Sequence, residues 1–179
     1  QFDAALLQSL VALRQGSLDM LLVGLTLLSG KTGLLVFGSV FIGWLLLRGE
    51  WASAGVFTLA AIACVVLPAL LQLMIAHPRP DLVVAPPNSW SFPSDHALNA
   101  VLMWGFILIF LDRTSPEKFV NIARPVLLAL LLFGITAPSV LGIHWPSDAL
   151  AGALLGLSAL ASLRWLWFRY EAPSVTAIE

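Results

Sequence analysis

Three polar clusters hold the residues of this chain that could do chemistry: His77-Pro78-Arg79-Pro80, Pro93-Ser94-Asp95-His96 and His144-Trp145-Pro146-Ser147-Asp148. All three histidines lie in them. His144 and Asp148 are four apart at a helix start whose first turn suits Pro146, so their side chains stack on one face. A carboxylate against one ring nitrogen fixes the tautomer and frees the other nitrogen as nucleophile or base. Simple helix capping would use the same two residues. Ser94 is a good N-cap, and the amides of the turn it opens could hold an anion such as phosphate. His96 projects from that turn and could transfer protons, although a plain helix start with Asp95 favouring the dipole also accounts for the pattern. Arg79, stiffened by prolines, could grip phosphate oxygens in paired hydrogen bonds or anchor to lipid headgroups. His77 could line the site or sit only at the interface, and the interfacial reading is preferred.

The elements that must position these clusters are apolar. The chain has 179 residues, 59% hydrophobic and 11% charged, with mean hydropathy +0.93. A soluble domain would carry about 25% charged residues. Lipid must therefore cover most of this surface. A net charge of −1 offers no bulk attraction to nucleic acid. The single cysteine, Cys64, sits in an apolar run and reads as a small buried residue.

Uncharged apolar runs cover 20–30, 32–47, 51–76, 97–111, 125–143 and 149–163. Crossing the hydrocarbon takes about 20 residues, which these runs reach once flanking residues are included. The expectation is an all-α, polytopic membrane helix bundle of six transmembrane helices, forming one domain over 1–179. An N-terminal interfacial helix should precede them over 2–13. The first residues lack the basic start and small-residue cleavage site of a secretory leader, so none is expected. Pro78, Pro80, Pro86, Pro87 and Pro93 keep the stretch 77–93 out of helix.

Six crossings place Arg14, Arg48, Arg113, Lys118, Arg124, Arg164 and Arg169 on one side, against Lys31 and Arg79 on the other. That bias puts the first group in the cytoplasm. All three polar clusters then fall together on the opposite face. Ionisable groups are expensive in hydrocarbon, so their gathering at span ends marks one wet site.

Taken in order, QLMIAHPRP (72–80), PSDH (93–96) and APSVLGIHWPSD (137–148) resemble the type 2 phosphatidic acid phosphatase (PAP2) superfamily, whose pattern is K-x6-R-P, P-S-G-H and S-R-x5-H-x3-D. The resemblance runs over nearly the whole chain. It implies that His144 attacks phosphorus to form a phosphohistidine, oriented by Asp148. His96 would protonate the leaving oxygen and then activate water. Arg79, Ser94 and the amides at the start of the fourth span would steady the phosphoryl group. Neither a metal nor another cofactor is implied. Gln72 stands where the family has lysine, Ala137 and Pro138 where it has serine and arginine, and Asp95 where it has glycine. Two of three phosphate-binding cations are thus missing, and Asp95 adds a negative charge beside the phosphate. Lys31, between the first two spans and on the same face, is expected to reach the phosphate and partly replace the lysine.

The resemblance implies a lipid phosphatase in a bacterial cytoplasmic membrane, with its site on the periplasmic or extracellular face. Its partners would be the bilayer and a lipid phosphate, such as the polyprenyl lipid undecaprenyl pyrophosphate. Two alternatives use the same residues: a phosphotransferase that discharges the phosphohistidine onto another lipid, and a catalytically impaired lipid-phosphate binding or transport protein.

Overall fold

Each apolar run becomes one helix of a seven-helix bundle. The computed structural model describes residues 2–14, 16–82 and 89–170, the last three as backbone. Pro86 and Pro87 lie outside the described residues, as does the Arg169 side chain. The helices are α1 (Phe2–Ala12), α2 (Gly16–Ser29), α3 (Lys31–Leu47), α4 (Trp51–Ile75), α5 (Asp95–Thr114), α6 (Glu117–Val140) and α7 (Pro146–Tyr170). No strand occurs among the described residues. The six expected spans correspond to α2–α7, and the expected N-terminal helix to α1.

Four helices, α4 to α7, are long and apolar enough to cross a membrane alone. At 14 and 17 residues, α2 and α3 are shorter than the roughly 20 residues a full crossing needs. The sharply bent pair α1 and α2 would together supply a fifth span. The protein is a multi-pass membrane protein, and its surface agrees: Leu35 and Val40 on α3, Met74 on α4, Ile122 and Leu132 on α6 and Leu150 on α7 are all exposed. These apolar faces have lipid as their natural solvent.

At the centre stands α5, buried along most of its length and packed on α2, α3, α4, α6 and α7. Its lower half joins an aromatic cluster. Phe106 and Phe110 stack on Trp167 of α7, and Phe57 of α4 packs on Phe106 at 5.1 Å between ring centroids. Its upper half is fixed by glycines on α7. A Cβ on Gly152 would lie 2.3 Å from the Ser94 carbonyl oxygen, and one on Gly156 would lie 2.8 Å from Val101 Cβ. Small residues let two membrane helices touch backbone to backbone. That contact sets the first turns of α5 and α7 side by side, where the Ser94 amide donates to the Asp148 carbonyl at 3.1 Å.

The N-terminal helix is part of this assembly. α1 packs on α6 and α7 with Leu7 buried. The Asp3 carboxylate accepts from the Ser147 amide at 3.0 Å and from its hydroxyl at 2.6 Å. Asp3 therefore caps α7 from a distant part of the chain, satisfying donors that a helix start leaves open.

Candidate active site

The turn 141–145 presents His144. After α6 the chain reverses at Gly142, whose φ of +76° lies in the left-handed region that glycine enters without a Cβ penalty. The Pro138 carbonyl accepts from the Ile143 amide at 2.8 Å. His144 is thereby held in a fully buried position above α7. Its Nδ1 lies 2.8 Å from the Ser91 carbonyl oxygen, which can only accept, so Nδ1 carries the proton. Nε2 is then a lone pair, and Arg79 Nη1 lies 3.1 Å from it as the donor. The geometry selects the tautomer that leaves Nε2 free to react.

Asp148 is fully buried and four residues on, as the spacing requires. Its Oδ2 lies 3.8 Å from His144 Nδ1, within ion-pair range but beyond hydrogen-bond length. That oxygen instead accepts a very short hydrogen bond from the Ser91 hydroxyl, and another from the Trp145 amide at 3.1 Å. Oδ1 faces His77 Nδ1 at 3.5 Å, and neither atom has a hydrogen-bond partner. His77 thus touches the site instead of serving only as an interfacial residue. Ser91 went unnoticed in the sequence because a lone serine two residues before a proline carries no motif of its own.

The α5 end supplies the rest. Ser94 caps the helix, its hydroxyl accepting from the Ala97 amide at 3.3 Å. Asp95 is buried, and its Oδ1 lies 3.1 Å from the His96 amide, 3.0 Å from His96 Nδ1 and 3.6 Å from His144 Nε2. The rings of His96 and His144 are 5.4 Å apart, edge to face. Lys31, at the head of α3, puts Nζ 3.8 Å from Asp95 Oδ2. Gly30 just before it lets the ring of His96 sit close, since a Cβ there would come within 3.2 Å of His96 Nε2.

Arg79 is tied into its own loop. Its Nε donates to the Ser89 carbonyl at 2.9 Å, Nη2 to the Ser89 hydroxyl and the Trp90 carbonyl, and Nη1 to the Ile143 carbonyl. Burial pulls the guanidinium's pKa down, while Asp95 and Asp148 oppose that shift. Gln72 is buried and spends its amide on the Pro93 carbonyl at 3.1 Å. So both positions where cations were expected, Gln72 and Pro138, brace the turns that carry His96 and His144.

Asp95, His96 and His144 bring one carboxylate oxygen and two ring nitrogens within 4.8 Å of one another, the minimum for holding a small cation. Arg79 already points a positive charge at one of those nitrogens. A buried metal would meet that charge at close range, whereas an anion would be drawn in by it. The arrangement suits an anion, with a nucleophilic nitrogen, a second imidazole and an arginine converging on one point.

Comparison with known proteins agrees. The PAP2 superfamily pattern matches residues 51–172. A decaprenylphosphoryl-5-phosphoribose phosphatase of Mycobacterium tuberculosis is 32% identical over 73% of this chain and 75% of its own length. The phosphatidylglycerophosphatase B of Bacillus subtilis is 31% identical over 87% of this chain and 78% of its own. Among solved structures, the transmembrane PAP2-type phosphatidylglycerolphosphate phosphatase of Bacillus subtilis superposes with a TM-score of 0.83 at 25% identity, covering 97% of this chain and 87% of that one. Aquifex aeolicus LpxE shares the fold, with a TM-score of 0.72 at 20% identity over 92% and 96%.

Proposed function

We propose that this chain, a membrane lipid phosphatase that belongs to the PAP2 superfamily, hydrolyses a polyprenyl phosphate or pyrophosphate such as undecaprenyl pyrophosphate through a phosphohistidine. The observation that carries the reading is the state of His144: Nδ1 committed to the Ser91 carbonyl, Nε2 unprotonated and facing Arg79 and His96. In the first step Nε2 forms a bond to phosphorus as the bond from phosphorus to the leaving oxygen breaks, and His96 gives that oxygen a proton. In the second, His96 takes a proton from water. The water oxygen bonds to phosphorus, the nitrogen–phosphorus bond breaks, and phosphate leaves. Arg79 and Lys31 offset charge on the transferring group, and the α5 amides behind Ser94 add to this.

Asp95 lies on the phosphate's own ground. It sits at the mouth of the α5 N-terminus between the two imidazoles, so an incoming phosphoryl group meets its negative charge, which Lys31 offsets in part. A polyprenyl tail has a path as well. An apolar groove of about 490 Å³ runs between α3 and α4, lined by Leu34, Gly38, Ile42, Thr58 and Val65, with Lys31 at its site end. The decaprenyl substrate in the name of the Mycobacterium tuberculosis relative supports a long isoprenoid. The positive-inside bias supports a cytoplasmic membrane with the site on its outer face.

The test is phosphate release by purified full-length protein from polyprenyl pyrophosphate, polyprenyl phosphate and phosphatidylglycerophosphate, with His144→Ala alongside. Expected are fastest turnover on a polyprenyl lipid, a labelled phosphohistidine on rapid quenching, and loss of both in His144→Ala. Fastest turnover on phosphatidylglycerophosphate would overturn the substrate. Absence of turnover on all three lipids would sink the hydrolase reading, and label transferred to a second lipid would mark a phosphotransferase.

A further inference from the structure

We infer that Ser91 is a positioning residue through which Asp148 acts on the nucleophile; this rests on the reading of His144 as that nucleophile. The spacing of His144 and Asp148 invites a direct contact, yet 3.8 Å separates the nearest atoms. Ser91 fills that gap with two different groups. Its carbonyl oxygen takes the Nδ1 proton at 2.8 Å. Its hydroxyl donates to Asp148 Oδ2 and lies 3.4 Å from the same Nδ1. A hydroxyl whose proton is given to a carboxylate turns its lone pairs, and a share of the carboxylate's charge, toward the ring.

That charge matters when Nε2 bonds to phosphorus. The imidazole then becomes positively charged, and its Nδ1–H faces an acceptor pair, carbonyl and hydroxyl, polarised by Asp148. The effect belongs to the transition state and the phosphohistidine, where the ring carries charge, and not to substrate binding.

The surroundings hold Ser91 for this task. It is fully buried, and its amide donates to the His77 carbonyl at 2.8 Å. Gln72 grips the Pro93 carbonyl two residues on. Asp148 Oδ2 also accepts from the Trp145 amide at 3.1 Å, which helps hold the carboxylate where it orients the hydroxyl. Ser91 has no other side-chain partner among the described residues.

Replacing the side chain separates the two groups, because Ser91→Ala and Ser91→Gly keep the carbonyl and remove the hydroxyl. The experiment measures kcat and KM of full-length wild type, Ser91→Ala, Ser91→Gly, Asp148→Asn, the Ser91→Ala/Asp148→Asn double variant and His144→Ala, all on the best lipid substrate. With the relay intact in wild type, kcat falls about 10- to 100-fold in Ser91→Ala with KM within about twofold, the scale of one charged hydrogen bond. The double variant is then no slower than Asp148→Asn alone, since without a carboxylate at 148 the Ser91 hydroxyl has no charge to relay to the ring. Wild-type kcat in Ser91→Ala and Ser91→Gly overturns the inference, as do losses that multiply in the double variant. If His144→Ala still turns over, the nucleophile assignment fails and the relay with it. If His144→Ala is inactive while Ser91→Ala is not impaired, the relay alone fails.

Discussion

Replacing Asp95 by asparagine should tighten the grip of this site on a phosphate-like anion. An attacking nitrogen and phosphorus stand about 3–3.5 Å apart before reaction. Asp95 Oδ1 is already 3.6 Å from that nitrogen. Phosphoryl oxygens would therefore come within about 4 Å of the carboxylate. Two like unit charges at that distance repel by about 4 kcal/mol at the effective dielectric of a protein site. Lys31 offsets part of this, but it is half exposed and 3.8 Å away, so its share is about 1 kcal/mol or less. A net of about 3 kcal/mol is roughly a hundredfold in binding. Orthovanadate binding, followed by titration calorimetry on detergent-solubilised protein, reads this without relying on turnover. Asp95→Asn should bind vanadate about 100-fold more tightly than wild type. Asparagine keeps an oxygen for the His96 amide, so the start of α5 should persist. Equal or weaker vanadate binding in the variant would refute the view that Asp95 stands in the phosphate position.

Three further outcomes follow from the geometry. Lys31→Ala should raise KM for the lipid phosphate about 2- to 5-fold, the scale of a half-exposed charge, with Lys31→Arg close to wild type; identical KM values would remove Lys31 from the site. Gly152→Ala pushes a methyl group into the Ser94 carbonyl and should destabilise the protein by about 1–3 kcal/mol, as overpacking does, visible as earlier thermal unfolding in detergent. Asp3→Ala removes the distant cap on α7 and should cost about 1 kcal/mol of stability; an unchanged melting temperature would show the cap to be idle.

The sequence pointed to the groups proposed to react but not to the ones that hold them. Apolar runs between charges are long-range enough to mark α2 to α7, and their ends placed the three clusters on one face. His144, His96, Asp148 and Arg79 were legible because ionisable groups are rare in lipid and gather at span ends on one face, and their expected roles came from the resemblance to the PAP2 pattern. Lys31 was legible from topology alone, and the structure brings it to Asp95. Ser91 and Asp3 were not. Each acts on a partner that is remote in the chain, 53 residues away for Ser91 and His144 and 144 for Asp3 and Ser147. No local period encodes such a contact. His77 stayed open between site and interface for the same reason, since its neighbour Asp148 is 71 residues on in the chain.

The positions of the two missing family cations differ in what they give the site. Gln72 and Pro138 each offer one polar group, and each spends it on a neighbouring turn: the amide on Pro93, the carbonyl on Ile143. A lysine at 72 would bring charge but lose the amide's bond to Pro93, whereas at 138 the carbonyl belongs to the backbone, so an arginine there would keep the Ile143 bond and only add charge. The site therefore works with two cations, Arg79 and Lys31, against two buried carboxylates, Asp95 and Asp148. Such a balance binds a small free anion weakly, because the anion brings charge and little else. A lipid adds an apolar tail, and tail burial contributes about 0.8 kcal/mol for each CH₂ removed from water. For a substrate already in the bilayer much of that gain is spent before binding, so the tail's role is to align the headgroup with His144. On the proposed reading, recognition falls on the tail and its groove, and the released inorganic phosphate, having no tail, is held only by Arg79, Lys31 and the α5 amides.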